Sequence, residues 1–302
     1  MRFALGTIPF GTTVNQKDTF ALLDRFVEVG GTMIDTANNY PFWVAGCTGD
    51  ESELAIGAWL AARNNRDQVV LSTKVGGRPT VPGGTLASAE GLSAATVRSG
   101  IAGSLRRLGT DYIDIYWSHI ADRGVRLEET LGAFHELAER GTIRAVGASN
   151  EYAWRLERAR ALARANGWVP YTYLQLRHTY LRPRPDTTLP ESGHVLVTDE
   201  TLDYLREEPD LTLWAYNTLM FGAYTRPDRP LPESYDHPGT TARLAVLHRV
   251  AKELSATPNQ VVLAWLMADG IVPIVGVSTM AQLDEAIGAT ELKLDPELLA
   301  VG

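Results

Sequence analysis

The stretch Gly30-Gly31-Thr32-Met33-Ile34-Asp35-Thr36-Ala37-Asn38-Asn39-Tyr40 (GGTMIDTANNY) leads two glycines into a short apolar run, ends that run in a carboxylate and places a tyrosine one loop later. The segment TMID reads as a buried strand, being short, apolar and bounded by turn residues. A carboxylate at the mouth of such a strand is costly unless something pairs with it. The partner has to come from elsewhere in the chain.

Seven more runs have the same character: FALGTI, QVVLSTK, DYIDIYWSH, IRAVGAS, YTYLQL, LTLWAY and IVPIVGV, all rich in Val, Ile, Thr and aromatics. Between them lie stretches with apolar residues at i, i+3, i+4 and i+7: TFALLDRFVEVG, SELAIGAWLAAR, AATVRSGIAGSLRRLG, LEETLGAFHELAERG and NEYAWRLERARALARANG. Asn15, Asp50 and Ser93 stand where three of these helices need caps, and Gly30, Gly109 and Gly141 where helices should stop. Strand then helix, repeated about eight times at roughly 35 to 40 residues per unit, predicts an α/β protein: a single (β/α)8 TIM barrel. No composition shift marks a linker, so residues 1–302 read as one domain.

The chain is 302 residues long, 45% hydrophobic and 21% charged, the balance of a globular protein with a large core. Net charge is -8 and the pI is near 5.3, with no run of Lys and Arg, so neither nucleic acid nor anionic lipid is an expected partner. The one cysteine, Cys47, has no second thiol and no nearby histidine, which argues against a disulfide or a zinc site and suits a reducing, cytoplasmic setting. The first residues lack a charged leader followed by an apolar stretch, and no apolar segment nears the roughly 20 residues that span a bilayer.

In a parallel barrel the strand ends converge on one mouth. Strand two ends in Asp35, strand three in Lys74, strand four in His119, strand five in Ser149 and Asn150, strand six in Gln175 and strand seven in Tyr216. Two long loops, roughly 76 to 92 and 218 to 239, and the Pro-rich LRPRPDTTLPESG follow strands and lie on the same rim, which suggests a covered pocket. Each polar residue has a bland reading: a turn cap for Asp35, a solvated charge for Lys74, a structural histidine for His119, loop packing for Tyr40. Together, on three successive strand ends, they read better as a site. A tyrosine has a free pKa of about 10 and becomes a useful acid or base when a cation favours its phenolate; Lys74, held by Asp35, is placed to be that cation. His119 adds a second hydrogen bond to the same substrate oxygen. Such a pair suits carbonyl reduction if a hydride donor lies opposite.

The chain contains no G-x-G, so a Rossmann-type dinucleotide site is excluded, and no G-K-[ST]. Ser149, Asn150 and Gln175 are placed to bond a nicotinamide carboxamide, and Tyr216 to stack on its ring. There is no H-E-x-x-H, Cys pair or G-x-S-x-G, so no metal is expected and nucleophilic hydrolysis has little support.

At these residues the chain resembles an aldo-keto reductase over nearly its whole length. GTMIDTANNY is similar to that family's strand-two signature, LSTKVG carries its lysine and YIDIYWSHIAD its histidine, so the resemblance implies a catalytic tetrad of Asp35, Tyr40, Lys74 and His119. GASN resembles G-[VI]-S-N, Gln175 fits the strand-six glutamine, and WAYNTLMFG resembles [YW]-S-P-L-x-x-G, with Leu219 and Gly222 at its leucine and glycine. GVSTMAQLDEAIGA resembles the final cofactor stretch, placing Gly276, Ser278, Gln282 and Glu285 on residues that hold the adenosine end. The family implies NADP(H), with NAD(H) as the alternative, bound across the barrel mouth.

Departures bear on the cofactor clamp. Ala286 replaces an asparagine, Thr279 stands where many members place a cation against the 2′-phosphate, and Arg226 is a substitute for that cation; Asn217, Thr218, His178 and Thr179 also differ from the pattern. The chain starts almost at strand one, so the hairpin that closes the barrel bottom in many members is expected to be absent or reduced. Trp43, His178 and one of Tyr116 and Trp117 are expected to shape the substrate pocket; alternation puts only one of that pair inward, and Trp117 is the residue expected there. A rim of Asn38, Asn39, Arg177, His178 and Arg182 suggests a hydroxylated or sugar-like carbonyl. The alternatives are a cofactor-binding regulatory subunit resembling the potassium-channel β subunits, and a lyase or isomerase using Lys74 as a Schiff-base nucleophile. Substrate identity and oligomeric state lie beyond the sequence.

Overall fold

The computed structural model describes residues 1–81, 83–187, 189 and 193–294. Eight strands, β1 (Ala4–Gly6), β2 (Met33–Asp35), β3 (Val70–Val75), β4 (Ile113–Ser118), β5 (Ile143–Ser149), β6 (Tyr171–Arg177), β7 (Thr212–Tyr216) and β8 (Val272–Gly276), pair in parallel in chain order. β8 returns to β1 through Ala4 opposite Ile274, which closes the barrel. All eight strand expectations are met, as is the TIM-barrel fold class. β1 pairs directly with β2 and β8, and no strand precedes it among the described residues.

The helices among the described residues are α1 (Gln16–Glu28), α2 (Glu51–Arg63), α3 (Ala94–Leu108), α4 (Leu127–Glu139), α5 (Ala153–Asn166), α6 (Asp199–Glu207), α7 (Pro238–Glu253), α8 (Pro258–Ala268) and α9 (Met280–Ala289). The repeat is not strictly one helix per strand, because α7 and α8 both lie between β7 and β8. Each opens on a proline, in the first turn, where the N–H that proline lacks would have no partner within the helix. Pro238, which the composition places in a loop, therefore starts a helix.

Two of the three expected caps form: Asn15 Oδ1 accepts from the Asp18 amide at 3.0 Å and Ser93 Oγ from the Thr96 amide at 3.2 Å. Asp50 makes no cap bond to α2. Its carboxylate is taken instead by Arg78 from the loop after β3 and by Arg107 of α3, at 3.3 Å.

The strands read as continuous apolar runs because both their faces are buried. Ile115, Trp117, Trp214, Ala4 and Ile274 fill the barrel interior, while Tyr116 turns outward onto Phe134 of α4, with ring centroids 5.5 Å apart. Alternation thus selects Trp117 as the inward residue of the pair. Gly147 makes room for it, since a Cβ there would stand 2.2 Å from the indole.

Two contacts draw the ends of the loop after β3 together. Pro79 bridges Ala89, and the Glu90 carboxylate accepts from the Gly76 amide at 2.9 Å and from Asn38 Nδ2 at 2.8 Å. The loops after β2 and β3 are thereby fastened together on the barrel rim.

Candidate active site

Asp35 is buried at the end of β2, and three donors satisfy it. Lys74 Nζ lies 2.6 Å from one carboxylate oxygen; Ser72 Oγ at 2.6 Å and Gln175 Nε2 at 3.3 Å take the other. Lys74 is fully buried and also donates to the Thr36 carbonyl at 2.7 Å. This geometry follows from register: Asp35 pairs with Ser72 across β2 and β3, and residues two apart on a strand share a face, so Ser72 and Lys74 reach Asp35 together. Burial pushes the Lys74 ammonium down from its usual value, while the Asp35 charge pulls it back up.

Tyr40 stands above this pair. Lys74 Nζ is 4.9 Å from the centre of its ring, the His119 ring meets it edge-on at 5.7 Å, and Trp43 does so at 6.0 Å. The Tyr40 hydroxyl makes no hydrogen bond with any described residue. Burial, reinforced by the Asp35 carboxylate, pushes the phenol well above its ordinary value. The expected help of Lys74 to the phenolate concerns the ionised form; in the resting site Lys74 is bonded to Asp35 at 2.6 Å and faces the ring of the protonated phenol. Tyr40 is a protonated acid at neutral pH. His119 is pushed well below the usual histidine range by burial, then by Lys74 and His194, and is neutral.

The other strand-end residues also meet. Tyr216 Oη donates to Asn150 Oδ1 at 2.7 Å; Asn150 Nδ2 donates to the His119 carbonyl and to Ser149 Oγ, both at 3.1 Å. Asn150 adopts a left-handed conformation with φ 56°. After β7, Met220, Phe221 and Gly222 are left-handed in succession, which is strained for the first two. Leu219 accepts from the Gly222 amide at 2.8 Å, and Phe221 is 71% exposed. Arg226 is doubly bonded to Asp228, at 2.6 and 3.1 Å. At the end of β8, Gly276 is exposed, and Gln282 Oε1 accepts from the Ser278 and Thr279 amides in the α9 cap. Glu285 faces α8, where it accepts from Thr257 Oγ1 at 2.6 Å and Asn259 Nδ2 at 3.2 Å.

Of the expected pocket residues, Trp43 lies at the mouth, 54% exposed beside Tyr40. Trp117 does not reach it; one layer below His119 on β4, it is sealed against Trp214 and Tyr173 and forms part of the floor. His178 packs on Trp265 of α8, with centroids 5.6 Å apart. With Gln175 turned inward on β6, strand alternation takes His178 outward. His194 was missed. It meets the Tyr216 ring edge-on at 5.3 Å, and the next amide, of Val195, donates to Asn150 Oδ1 at 3.1 Å. His194 sits in a Pro-rich loop without periodicity, so no sequence signal points to it. Ser72 was legible, two residues before Lys74. Among the described residues no cluster of His, Cys, Asp and Glu is fit to hold a metal ion, and no helix is long and apolar enough to cross a membrane.

The fold is thus a closed parallel barrel whose mouth gathers a tyrosine, a buried carboxylate and lysine pair and a neutral histidine. The profile of the Aldo/keto reductase family matches residues 2–300, and the chain belongs to that family. It is 31% identical over 302 residues to the uncharacterised oxidoreductase YrpG of Bacillus subtilis, covering 99% of this chain and 90% of that one. To an aryl-alcohol dehydrogenase of Pestalotiopsis microspora it is 29% identical over 288 residues, 92% of this chain and 70% of the other. The crystal structure of a thermostable aldo-keto reductase bound to the inhibitor epalrestat superposes with a TM-score of 0.75 at 27% identity, covering 100% of this chain and 95% of that one.

Proposed function

We propose that this protein interconverts an aromatic aldehyde or ketone and its alcohol with a nicotinamide coenzyme, with Tyr40 as the acid. The observation that carries the reading is the Tyr40 hydroxyl, unbonded and protonated, above the buried Asp35 and Lys74 pair and beside the His119 ring.

The residues opposite suit such a coenzyme. Ser149, Asn150 and Gln175 offer a hydroxyl and two carboxamides, and Tyr216 a flat ring, a donor set that matches a flat heterocycle carrying a carboxamide. The left-handed turn at Met220–Gly222 and the N-terminus of α9 near Ser278 are candidate cradles for phosphates. When bound, the reduced coenzyme supplies the hydride. Tyr40 Oη gives its proton to the carbonyl oxygen as negative charge develops there. His119 donates a hydrogen bond to the same oxygen. Lys74, kept charged by Asp35, stabilises the phenolate left on Tyr40. Arg226 shares its charge with Asp228, so the preference for NADPH over NADH is small.

The substrate class follows from which side chains are free. Asn38 and Asn39 are buried and donate to Glu90 and to Gly77; Arg182 is paired with Asp199 at 2.9 Å; His178 faces α8. The polar rim that suggests a sugar-like carbonyl is thus turned inward or engaged, and Trp43 is left as the exposed wall beside Tyr40. The named relative that acts on aryl alcohols supports an aromatic ring against that wall.

The test is titration with NADPH and NADH by tryptophan quenching, with turnover of nitrobenzaldehyde and glyceraldehyde. Binding of both nucleotides, a higher kcat/KM for nitrobenzaldehyde, and a loss of about 100-fold or more in kcat for Tyr40→Phe with unchanged coenzyme affinity are expected. A Tyr40→Phe enzyme as fast as wild type would overturn the assignment.

A further inference from the structure

Gly76 and Gly77 are both glycine, for different reasons. Gly76 has φ +101°, a conformation that other residues rarely adopt; Gly77 does not lie in that region, and its requirement is space. A Cβ at Gly77 would stand 2.7 Å from His119 Nδ1, 3.1 Å from its Cγ and 3.0 Å from Asn39 Nδ2. The bare α-carbon is the seat on which the His119 ring rests. Asn39, itself 1% exposed, holds that seat in place by donating from Nδ2 to the Gly77 carbonyl at 2.7 Å.

The seat also bears on where the imidazole proton resides. Nδ1 is buried and has no hydrogen-bond partner among the described residues, and the other polar atom crowding the same point is an amide nitrogen, a donor. A proton on Nδ1 would be buried unpaired next to another N–H. Placed on Nε2, at the far corner of the ring, it is available to the barrel mouth.

Resting on the reductase reading above, we propose that Asn39 is a positioning residue for His119: acting through Gly77, it seats the imidazole and keeps Nδ1 an acceptor, so that Nε2–H is the donor to the substrate oxygen. Neither residue touches the reacting atoms.

The experiment is nitrogen NMR of the full protein labelled with 15N-histidine, the His119 signals being those lost in His119→Gln. Wild type is expected to show Nδ1 unprotonated and Nε2 protonated. Asn39→Asp replaces the amide donor with an acceptor at the same point, and is expected to draw the proton to Nδ1 or raise the His119 titration, shifting the acid limb of the kcat profile. Gly77→Ala pushes the ring off its seat and is expected to lower kcat about 100-fold with coenzyme affinity retained. A wild-type proton on Nδ1, or an Asn39→Asp protein with wild-type tautomer and pH profile, overturns the proposal. The spectrum is read without turnover. The stated tautomer in a protein that reduces no carbonyl would therefore overturn the reductase reading and leave the seat standing.

Discussion

The Asp35 and Lys74 pair shows what a buried charge demands. Both side chains are sealed from solvent, and Asp35 is satisfied only because Ser72, Gln175 and Lys74 converge on it. Removing one member of a buried pair is far worse than removing both, because the survivor keeps its desolvation cost without its partner. Lys74→Met should therefore lose about 3–5 kcal/mol of stability, toward the low end since Ser72 and Gln175 still bond the carboxylate. The double variant Asp35→Asn with Lys74→Met should recover much of that loss in urea denaturation. Neither should turn over a carbonyl, because the phenolate left on Tyr40 has lost its cation. Recovery of turnover together with stability would show that the pair is structural only. These residues were legible from sequence because parallel strands all end at one mouth, so chain order alone brings them together. How far the Tyr40 phenol is pushed up was not, since that depends on its burial in the assembled mouth and on the Asp35 carboxylate beneath it.

Among the elements, α2 and α3 show packing overriding propensity. Gly57 sits inside α2, where glycine costs about 1 kcal/mol relative to alanine. It is there because α3 comes so close that a Cβ would stand 2.2 Å from the Arg107 carbonyl. The same junction buries Glu53, bonded by Thr73 Oγ1 and Arg107 Nε, both at 2.6 Å. Gly57→Ala should be destabilising by roughly 1–3 kcal/mol despite its better propensity, because overpacking against backbone exceeds the helical gain. Chemical denaturation would check this, and a stabilised variant would show that the two helices part freely. Helix existence and type were readable from period. Asp50 reads as a cap, yet two arginines distant in sequence take its carboxylate, a competition that no local pattern reveals. His178 was readable in principle, since an inward Gln175 sends it outward.

At the scale of the whole molecule, acid should unfold the protein through its buried histidines. Burial holds His178 down at about 4, and His119 well below the usual range, whereas in the unfolded chain both titrate near the ordinary value of about 6.5. The folded state therefore binds fewer protons, so stability is full above pH 6.5 and falls as pH drops below it, for His178 until about pH 4. A tenfold weaker proton affinity in the folded state corresponds to about 1.4 kcal/mol, which makes the His178 contribution on the order of 3 kcal/mol. Thermal unfolding across this range should show a steep acid limb, and His178→Phe, which keeps a ring against Trp265, should flatten it. An unchanged limb would mean that His178 is accessible to solvent in the fold.

By itself the sequence determined the order of the eight strands, the closed barrel, and the set Asp35, Tyr40, Lys74 and His119 that the strand ends bring together. Periodicity and strand order are local and repetitive, and a parallel barrel has one place where all its strands end. Tertiary structure alone decided which faces the side chains take beyond those ends and what they are bonded to: Trp117 as floor, Asn38 and Asn39 drawn inward, Arg226 compensated by Asp228, and His194 brought from a patternless loop onto Tyr216. Those outcomes are set by competition among groups far apart in the chain, and only the assembled fold brings the competitors within hydrogen-bonding range.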